Sequence, residues 1–408
     1  MPRKVLYIHG VSVYGGSTRS LLEMLKSLSR DEVEPLVICP RGQAADILEE
    51  NGIEVLRVSG VASFDHTLIG YYRGLRWLIL LRTLLNLLPT MLVLRKALKM
   101  KNWDLIHIND GTLLIPGLLA MFARLPIVWH FRTVMNTDGW RWRAVRRLVN
   151  SAAERVIAID ARVARSLVGI NNVSVVHNCV PLPNRGKTES AITKTSLGFT
   201  DDTVVFAMLG IMIPYKGIYE FLEAAKKSLG VNNDIGIIYV GGNARPDEYY
   251  QTVTGRLMNA IGFSCNHKKL IQQKIHDYGI ADKVKIVEFT TDTNSIYELI
   301  DVLCFPSHLD AIGRPAFEAA MYGKPSIAAL AENDDDFPVH GSEGIIVKPG
   351  SVTELSAAIC KLAGDSKFRG VMGDNAKTRA HNEYACSVTR EKILGLYNAA
   401  TQAGRAAV

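Results

Sequence analysis

Residues 304–325 read CFPSHLDAIGRPAFEAAMYGKP. The apolar run Ile300–Phe305, interrupted only by Asp301, predicts a helix end followed by a short buried strand. Pro306 and Ser307 break that strand. Asp310-Ala311-Ile312-Gly313 then reads as a turn into a helix, with Pro315 suited to the first helical position because it has no N–H to leave unpaired. A loop that ends at a helix N-terminus offers free backbone N–H groups and the positive end of a dipole, which suits an anion. Asp310 precedes the turn and Glu318 lies one helical turn inside the helix. The two carboxylates would bracket a ligand whose phosphate sits at the turn, which suggests a nucleotide-sugar site with one wall here.

Outward from this stretch, strands alternate with helices in both directions. Toward the C-terminus come strands at Pro325–Ala329 and Gly344–Val347, then helices at Thr353–Ala363 and Phe368–Asn382. Toward the N-terminus come strands at Val284–Phe289, Gly236–Val240 and Val204–Leu209. A helix near Gln251–Tyr278, broken at Gly262, and one at Tyr219–Leu229 lie among them. The polar, proline-bearing segment Pro181–Thr195 has no periodicity and reads as an interdomain linker. Before it, strands are predicted at Lys4–His9, Glu34–Cys39, Ile53–Val58, Trp103–Asn109, Ile127–His130, Arg155–Ile159 and Ser174–His177. Such alternation implies βα units and parallel sheets. The expected architecture is α/β, with two Rossmann-like parallel-sheet domains facing each other across a cleft. We place the first domain at 1–183, the linker at 184–200 and the second domain at 201–380. A C-terminal helix at 381–408 is free to return to the first domain. Ligands of parallel sheets bind beyond the carboxyl ends of the strands, where Gly15-Gly16, His107–Asp110 and His130–Arg132 fall.

The 408 residues suit two domains, and 48% hydrophobic with 21% charged residues excludes a disordered chain. Six cysteines are scattered without a Cys-x-x-Cys pair or metal-ligand spacing. Several sit in apolar runs, so buried thiols in a reducing compartment are expected. The opening MPRKVLYIHG goes directly into a strand, so no secretory signal is expected. These features place the chain in the cytoplasm, with peripheral contact to the inner face of the cell membrane as one reading. The net charge of +7 is moderate.

Taken in order, the motifs resemble those of the group 1 glycosyltransferases, also called family 4, which have the GT-B fold. They are Gly15-Gly16, Asp104-Leu-Ile-His107, His130, Val176-His-Asn178-Cys-Val-Pro181, Leu209-Gly210 with Lys216-Gly217, Tyr239-Val-Gly-Gly242, Phe305-Pro-Ser307, Asp310-x7-Glu318 and Ala319-Ala-Met-Tyr-Gly-Lys-Pro325. The resemblance implies retaining transfer of a sugar from a UDP- or GDP-sugar to a hydroxyl of a glycan or lipid-linked acceptor, in cell-envelope polysaccharide or glycolipid synthesis. It also implies the roles. His130, Lys216 and Asp310 would be catalytic. Gly15, Gly16, Gly210, Lys216, the backbone at Phe289, Ala311, Ile312, Gly313, Arg314 and Glu318 would bind the donor. No metal or other cofactor is expected, because Lys216 and helix dipoles would stabilise the charge that grows on the leaving phosphate.

Two departures matter. Ile211 stands where the family usually has Arg, and one lost charge-assisted bond is worth roughly 1.5–3 kcal/mol, or about ten- to hundredfold in rate. Arg314 lies close in sequence and would compensate. Asp310 replaces the usual Glu. A soluble small-molecule acceptor, or a non-catalytic relative that binds nucleotide sugar, are the alternative readings. Lys216 as a solvated helix-start lysine and His130 as a structural histidine are the plainer ones. His107 and His177 read as structural, and Asp334-Asp-Asp336 as a solvated acidic turn rather than a metal site.

The segment Tyr71–Lys101 carries seven cations, no acid and a leucine-rich middle. Each Leu or Ile favours insertion by about 0.3–0.6 kcal/mol while a central Arg opposes it by about 2.5–3.5. A span would also separate strand Trp103–Asn109 from its partners, so none is expected. Two readings stand. One is a buried helix pair on the first sheet. The other is a surface helix that, with the basic aromatic patch at 140–147, touches an anionic membrane. No nucleic-acid module is recognisable.

Overall fold

The computed structural model describes residues 1–68, 70, 77–183, 192–260, 264–290, 292–309, 311–332 and 336–406, with side chains of the last helix as far as 403. Asp310, Gly262, Asp334, Asp335, Arg73 and Arg76 therefore lie outside the described residues.

The chain divides into two compact units, Met1–Pro181 with Glu383–Val408, and Leu182–Asn382. The first holds β1 (Arg3–Ile8), β2 (Val33–Pro40), β3 (Glu54–Val58), β4 (Leu105–Ile108), β5 (Ile127–Phe131), β6 (Arg155–Ala158) and β7 (Val173–Val175). They form one sheet in the order β3-β2-β1-β4-β5-β6-β7, and each neighbouring pair is parallel. The second holds β8 (Val204–Leu209), β9 (Ile235–Val240), β10 (Val284–Val287), β11 (Val302–Phe305), β12 (Ser326–Ala329) and β13 (Gly344–Val347). Their order is β10-β9-β8-β11-β12-β13, again all parallel. Helices cover both faces, so the central strands are buried throughout and read as continuous apolar runs. All of β8 and β9 is buried.

Strand order fixes where a ligand can enter. In the first sheet the direction of winding reverses between β1 and β4, and in the second between β8 and β11. At such a switch point the loops leaving the two strands part to opposite sides and open a crevice at the carboxyl ends.

The C-terminal helix Cys386–Ala406 belongs to the first unit. Ile393, Tyr397 and Ala400 are fully buried in a cluster with Tyr7, Val37 and Leu105. One expectation fails at its start: Cys179 and Cys386 form a disulfide. Their separation of 207 residues hides the pairing from any local spacing rule. The returning helix brings them together, and Val180 N–H donates to Tyr384 O at 2.9 Å beside the bond. Cys39, Cys265, Cys304 and Cys360 are free.

The segment after residue 76 forms helices Ile79–Leu85 and Leu87–Met100. The second buries Thr90, Val93, Leu94 and Ala97, whereas the first buries only Thr83. Burial of both helices therefore does not occur; one stripe packs and the rest faces outward. Among the described residues no helix is long and apolar enough to cross a membrane.

Candidate active site

The second unit is built around the β8/β11 switch point. Gly210 closes β8 at φ +130 and Gly241 closes β9 at φ +135. A Cβ on Gly241 would fall 2.3 Å from Gly210 O, so Gly241 is required by close approach as well as by its dihedral. The next loop carries Lys216 at the end of a short turn, Pro214–Lys216. Gly217 follows at φ +79, where a Cβ would lie 1.9 Å from Pro306 O. His308 N–H donates to Tyr215 O at 2.9 Å, and His308 Nε2 meets Glu220 Oε1 at 3.1 Å. The 304–325 stretch and the Lys216 loop thus form one packed unit. The Lys216 amine lies 3.1 Å from the point where a Gly210 Cβ would sit. It makes no ion pair among the described residues, and burial lowers its pKa from the ordinary lysine value. Ile211 is 47% exposed.

Gly313 caps helix Arg314–Met321, and a Cβ there would strike the Phe305 ring at 2.4 Å. Arg314 takes the first helical position and Pro315 the second, one place later than expected. Ile312 is buried and Ala311 half-buried. Glu318 is buried and doubly held: Arg314 Nε donates to Oε1 at 2.6 Å and Tyr297 Oη to Oε2 at 2.7 Å. Neither partner is announced by the motif, although Arg314 sits at helical spacing from Glu318. Phe289 follows β10 with 66% exposure, and β9 separates its strand from β8.

At the β1/β4 switch point of the first unit, Gly15 and Gly16 open helix Gly16–Ser27. A Cβ on either would meet nothing within 4 Å. Behind them runs a buried polar network. His9 bonds Thr18 Oγ1 through Nε2 and Asn109 Nδ2 through Nδ1, both at 3.0 Å. Asn109 Oδ1 accepts from Arg132 Nη2 at 2.7 Å, and Asn178 Oδ1 accepts from Nη1 at 2.7 Å. Arg132 Nη2 also lies 3.3 Å from His130 Nδ1. Arginine has no acceptor, so His130 Nδ1 accepts and its proton sits on Nε2. That Nε2 is buried without a partner among the described residues, a costly state that a ligand hydroxyl would relieve. His107 Nδ1 bonds Tyr397 Oη at 2.7 Å, and Tyr397 Oη bonds Tyr7 Oη at 2.9 Å.

Burial, reinforced by Arg132, pushes His9 and His107 down to about 3 and His130 well below the usual imidazole value. All three are therefore neutral around pH 7. Sequence reading located His130 and placed Arg132 at a strand end, but missed the connections through His9, Asn109, Asn178 and Tyr397. His9 and Asn109 end β1 and β4, a signal that was there to use; Tyr397, 290 residues from His107, gave none. Among the described residues, no three His, Cys, Asp or Glu side chains gather into a metal-holding group.

The family model described as "Glycosyltransferase Family 4" matches residues 14–183, and that described as "Glycosyl transferases group 1" matches residues 190–379. The chain belongs to the group 1 glycosyltransferases. Among curated relatives, the capsular polysaccharide biosynthesis glycosyltransferase CapM of Staphylococcus aureus is 23% identical over 48% of this chain and 47% of its own length. The D-inositol 3-phosphate glycosyltransferase of Kribbella flavida is 23% identical over 62% and 58%. The chain thus spans about half the length of these two relatives. The UDP-Gal:alpha-D-GlcNAc-diphosphoundecaprenol alpha-1,3-galactosyltransferase of Escherichia coli is 22% identical over 77% of this chain and 80% of its own length. Among solved structures, HepE of Anabaena in complex with UDP and glucose superposes with a TM-score of 0.74 at 21% identity, covering 97% and 99% of the two chains. The sucrose-phosphate synthase of Thermosynechococcus elongatus gives a TM-score of 0.71 at 16% identity, covering 98% and 100%. In this group 1 glycosyltransferase the fold is the GT-B one, with each Rossmann-like sheet carrying its switch-point residues.

Proposed function

We propose that this group 1 glycosyltransferase moves a sugar, with retention at the anomeric carbon and without a metal, from a nucleoside-diphosphate sugar to a hydroxyl of a glycan or lipid-linked acceptor. One observation carries the reading: the Lys216 amine, held beside Gly210, is partly desolvated and has no anion beside it among the described residues. A diphosphate supplies that anion. The bond from the anomeric carbon to the phosphate oxygen breaks, the acceptor oxygen bonds to the same carbon, and the acceptor proton leaves with the diphosphate. Lys216 stabilises the charge that grows on the leaving group. Glu318, oriented by Arg314 and Tyr297, receives ribose hydroxyls, and the backbone past β10 meets the base. His130 Nε2–H donates to a sugar hydroxyl. Asp310, expected at the donor sugar, lies outside the described residues.

UDP in the HepE complex and UDP-Gal in the name of the E. coli relative favour a uridine donor. The diphosphoundecaprenol of that name, and the outward-facing apolar helices of this chain, favour a lipid-linked acceptor met at the cytoplasmic face of a membrane. The D-inositol 3-phosphate relatives support a small soluble acceptor as the second reading.

The test is donor turnover across a nucleotide-sugar panel for the wild type, Lys216→Ala and Glu318→Ala. We expect one donor to be consumed, with the Lys216→Ala rate down by at least ten- to hundredfold. Unchanged turnover in both variants would overturn the site. A wild type that binds UDP without consuming any donor would make the chain a non-catalytic relative, the outcome that Ile211 raises.

A further inference from the structure

The outward face of the helices after residue 76 is apolar to a degree that a monomer's surface rarely is. Leu81, Leu84, Leu85, Leu88, Met91 and Leu92 are 47% to 77% exposed. The neighbouring helix Leu114–Met121 adds Leu118 at 48%, and Phe122 just past its end is 80% exposed. The Arg141 guanidinium lies 4.9 Å from the Trp77 ring, which brings the start of helix Gly139–Ala152 against the start of this face. Trp140 there is 68% exposed.

Charge decides what covers this face. Residues 77–103 contain no acid and neither do 139–153, while Arg82, Arg95, Lys96 and Lys99 lie in the first and Arg143 and Arg147 in the second. A second copy seated on the same face would set cation against cation. Between Leu87–Met100 and Leu114–Met121 lies a cleft of about 320 Å³, lined by Met91, Leu94, Leu98, Leu119 and Phe122 together with Arg95 and Lys99. Apolar walls beside two cations match an acyl chain and its headgroup phosphate.

We propose that this face docks on an anionic phospholipid bilayer. Helices Ile79–Leu85 and Leu87–Met100 lie in the interface, and the cleft beside Phe122 takes part of one acyl chain while Arg95 and Lys99 hold its phosphate. The helices are too short to span and are apolar on one side with cations at the margin, which is the pattern of interfacial attachment. The idea deepens the membrane contact within the proposed function, but its test needs no catalysis, so the two fail separately.

The test is flotation of the full chain with vesicles of phosphatidylcholine alone or with about one-third phosphatidylglycerol. We expect binding to the anionic vesicles, weakened by salt. Arg95→Gln and Lys99→Gln should each reduce partition about fivefold. Leu85→Glu with Leu88→Glu should abolish it, with donor turnover in detergent-free buffer and the thermal melt unchanged. Phe122→Trp should be quenched by brominated acyl chains beyond the wild-type signal. Equal flotation of the leucine variant, or no preference for anionic vesicles, would overturn the docking face. Absence of extra quenching would overturn the cleft. Light scattering that shows a wild-type dimer lost in the leucine variant, without flotation of either, would replace the bilayer by a second copy.

Discussion

Arg314 and Glu318 form an ion pair at 2.6 Å, one turn apart on the helix that Gly313 caps, with both side chains less than a tenth exposed. The carboxylate that the family motif offers to the donor is therefore held in place before any ligand arrives. The cation expected to replace the missing arginine at 211 is paired with Glu318 and positions that carboxylate. Breaking a buried pair leaves an uncompensated charge and costs about 3–5 kcal/mol, whereas replacing both members by apolar groups is often close to neutral. We expect Arg314→Met to lower stability by that amount in urea unfolding, and Arg314→Met with Glu318→Leu to recover most of it. UDP affinity measured by calorimetry should be lost in both. Recovery of UDP binding in the double variant would show that the pair serves the fold alone.

Lys216 is depressed by burial, not by a neighbouring cation, so its charge is restored by any anion that enters. Below its lowered pKa the amine is charged and holds diphosphate; above it the amine is neutral and the hold weakens. UDP binding should take up a proton on the alkaline side, and affinity should fall as pH rises through that lowered value. Neutralisation removes a charge-assisted bond worth about 1.5–3 kcal/mol. Lys216→Arg, which stays charged, should flatten the alkaline limb. An identical limb in wild type and Lys216→Arg would assign it to another group.

The three buried histidines set the acid limit of the first domain. His9 and His107 are lowered to about 3 and His130 well below 6.5 in the folded state, chiefly by burial, while in the unfolded chain each titrates near 6.5. Their neutral forms contribute stability that is fully present above about pH 6.5. It is lost as pH falls toward about 3, because the unfolded chain binds protons that the folded one refuses. Each histidine gives a slope of about 1.4 kcal/mol per pH unit in that window. Urea unfolding between pH 7.5 and 5 should show this slope, and His9→Gln should reduce it by about one histidine's share. A flat profile would mean that the network accepts protons.

Both sheets were legible from apolar runs punctuated by glycine and proline, because a parallel strand buried on both faces has no polar alternation to confuse it. Boundaries moved by one or two residues, as at β4, where Trp103 and Asp104 precede the ladder. The motif loops were legible for the same local reason: Gly217, Gly241 and Gly313 mark places where the backbone or a ring comes too close for a Cβ. What stayed hidden is what long sequence separation brings together. Tyr297 holds Glu318 across 21 residues, Tyr397 reaches His107 across 290, and Cys386 reaches Cys179 across 207. Local pattern reports an element's inward stripe but not what that stripe meets.

The Cys179–Cys386 bond ties the end of the first domain's sheet region to the start of the returning helix. Titration of the denatured, unreduced protein should find four thiols among the six cysteines. Removing a native disulfide costs about 2–5 kcal/mol in small domains, and Cys386→Ser should lie at the lower end because Tyr397 and Ile393 remain buried. Six titratable thiols would restore the reading of a fully reduced chain.

Gly15 and Gly16 are the glycines in the candidate site that the fold does not require. Gly15 has φ −137 and Gly16 lies in the first turn of its helix, so neither occupies the left-handed region. A Cβ on either meets open space. Glycine in a helix costs roughly 0.5–1 kcal/mol relative to alanine, so Gly16→Ala should leave the melt unchanged or raise it slightly. If the space is kept for the donor phosphates, a methyl group there collides with them, and the loss appears in donor KM and turnover with no change in stability. We expect at least a tenfold fall in kcat/KM for Gly16→Ala, against a much smaller one for Gly370→Ala, at an exposed helical position where a Cβ likewise meets open space. A Gly16→Ala enzyme with full activity would place the diphosphate elsewhere, and the first domain's contribution would then fall to His130 and the Arg132 network.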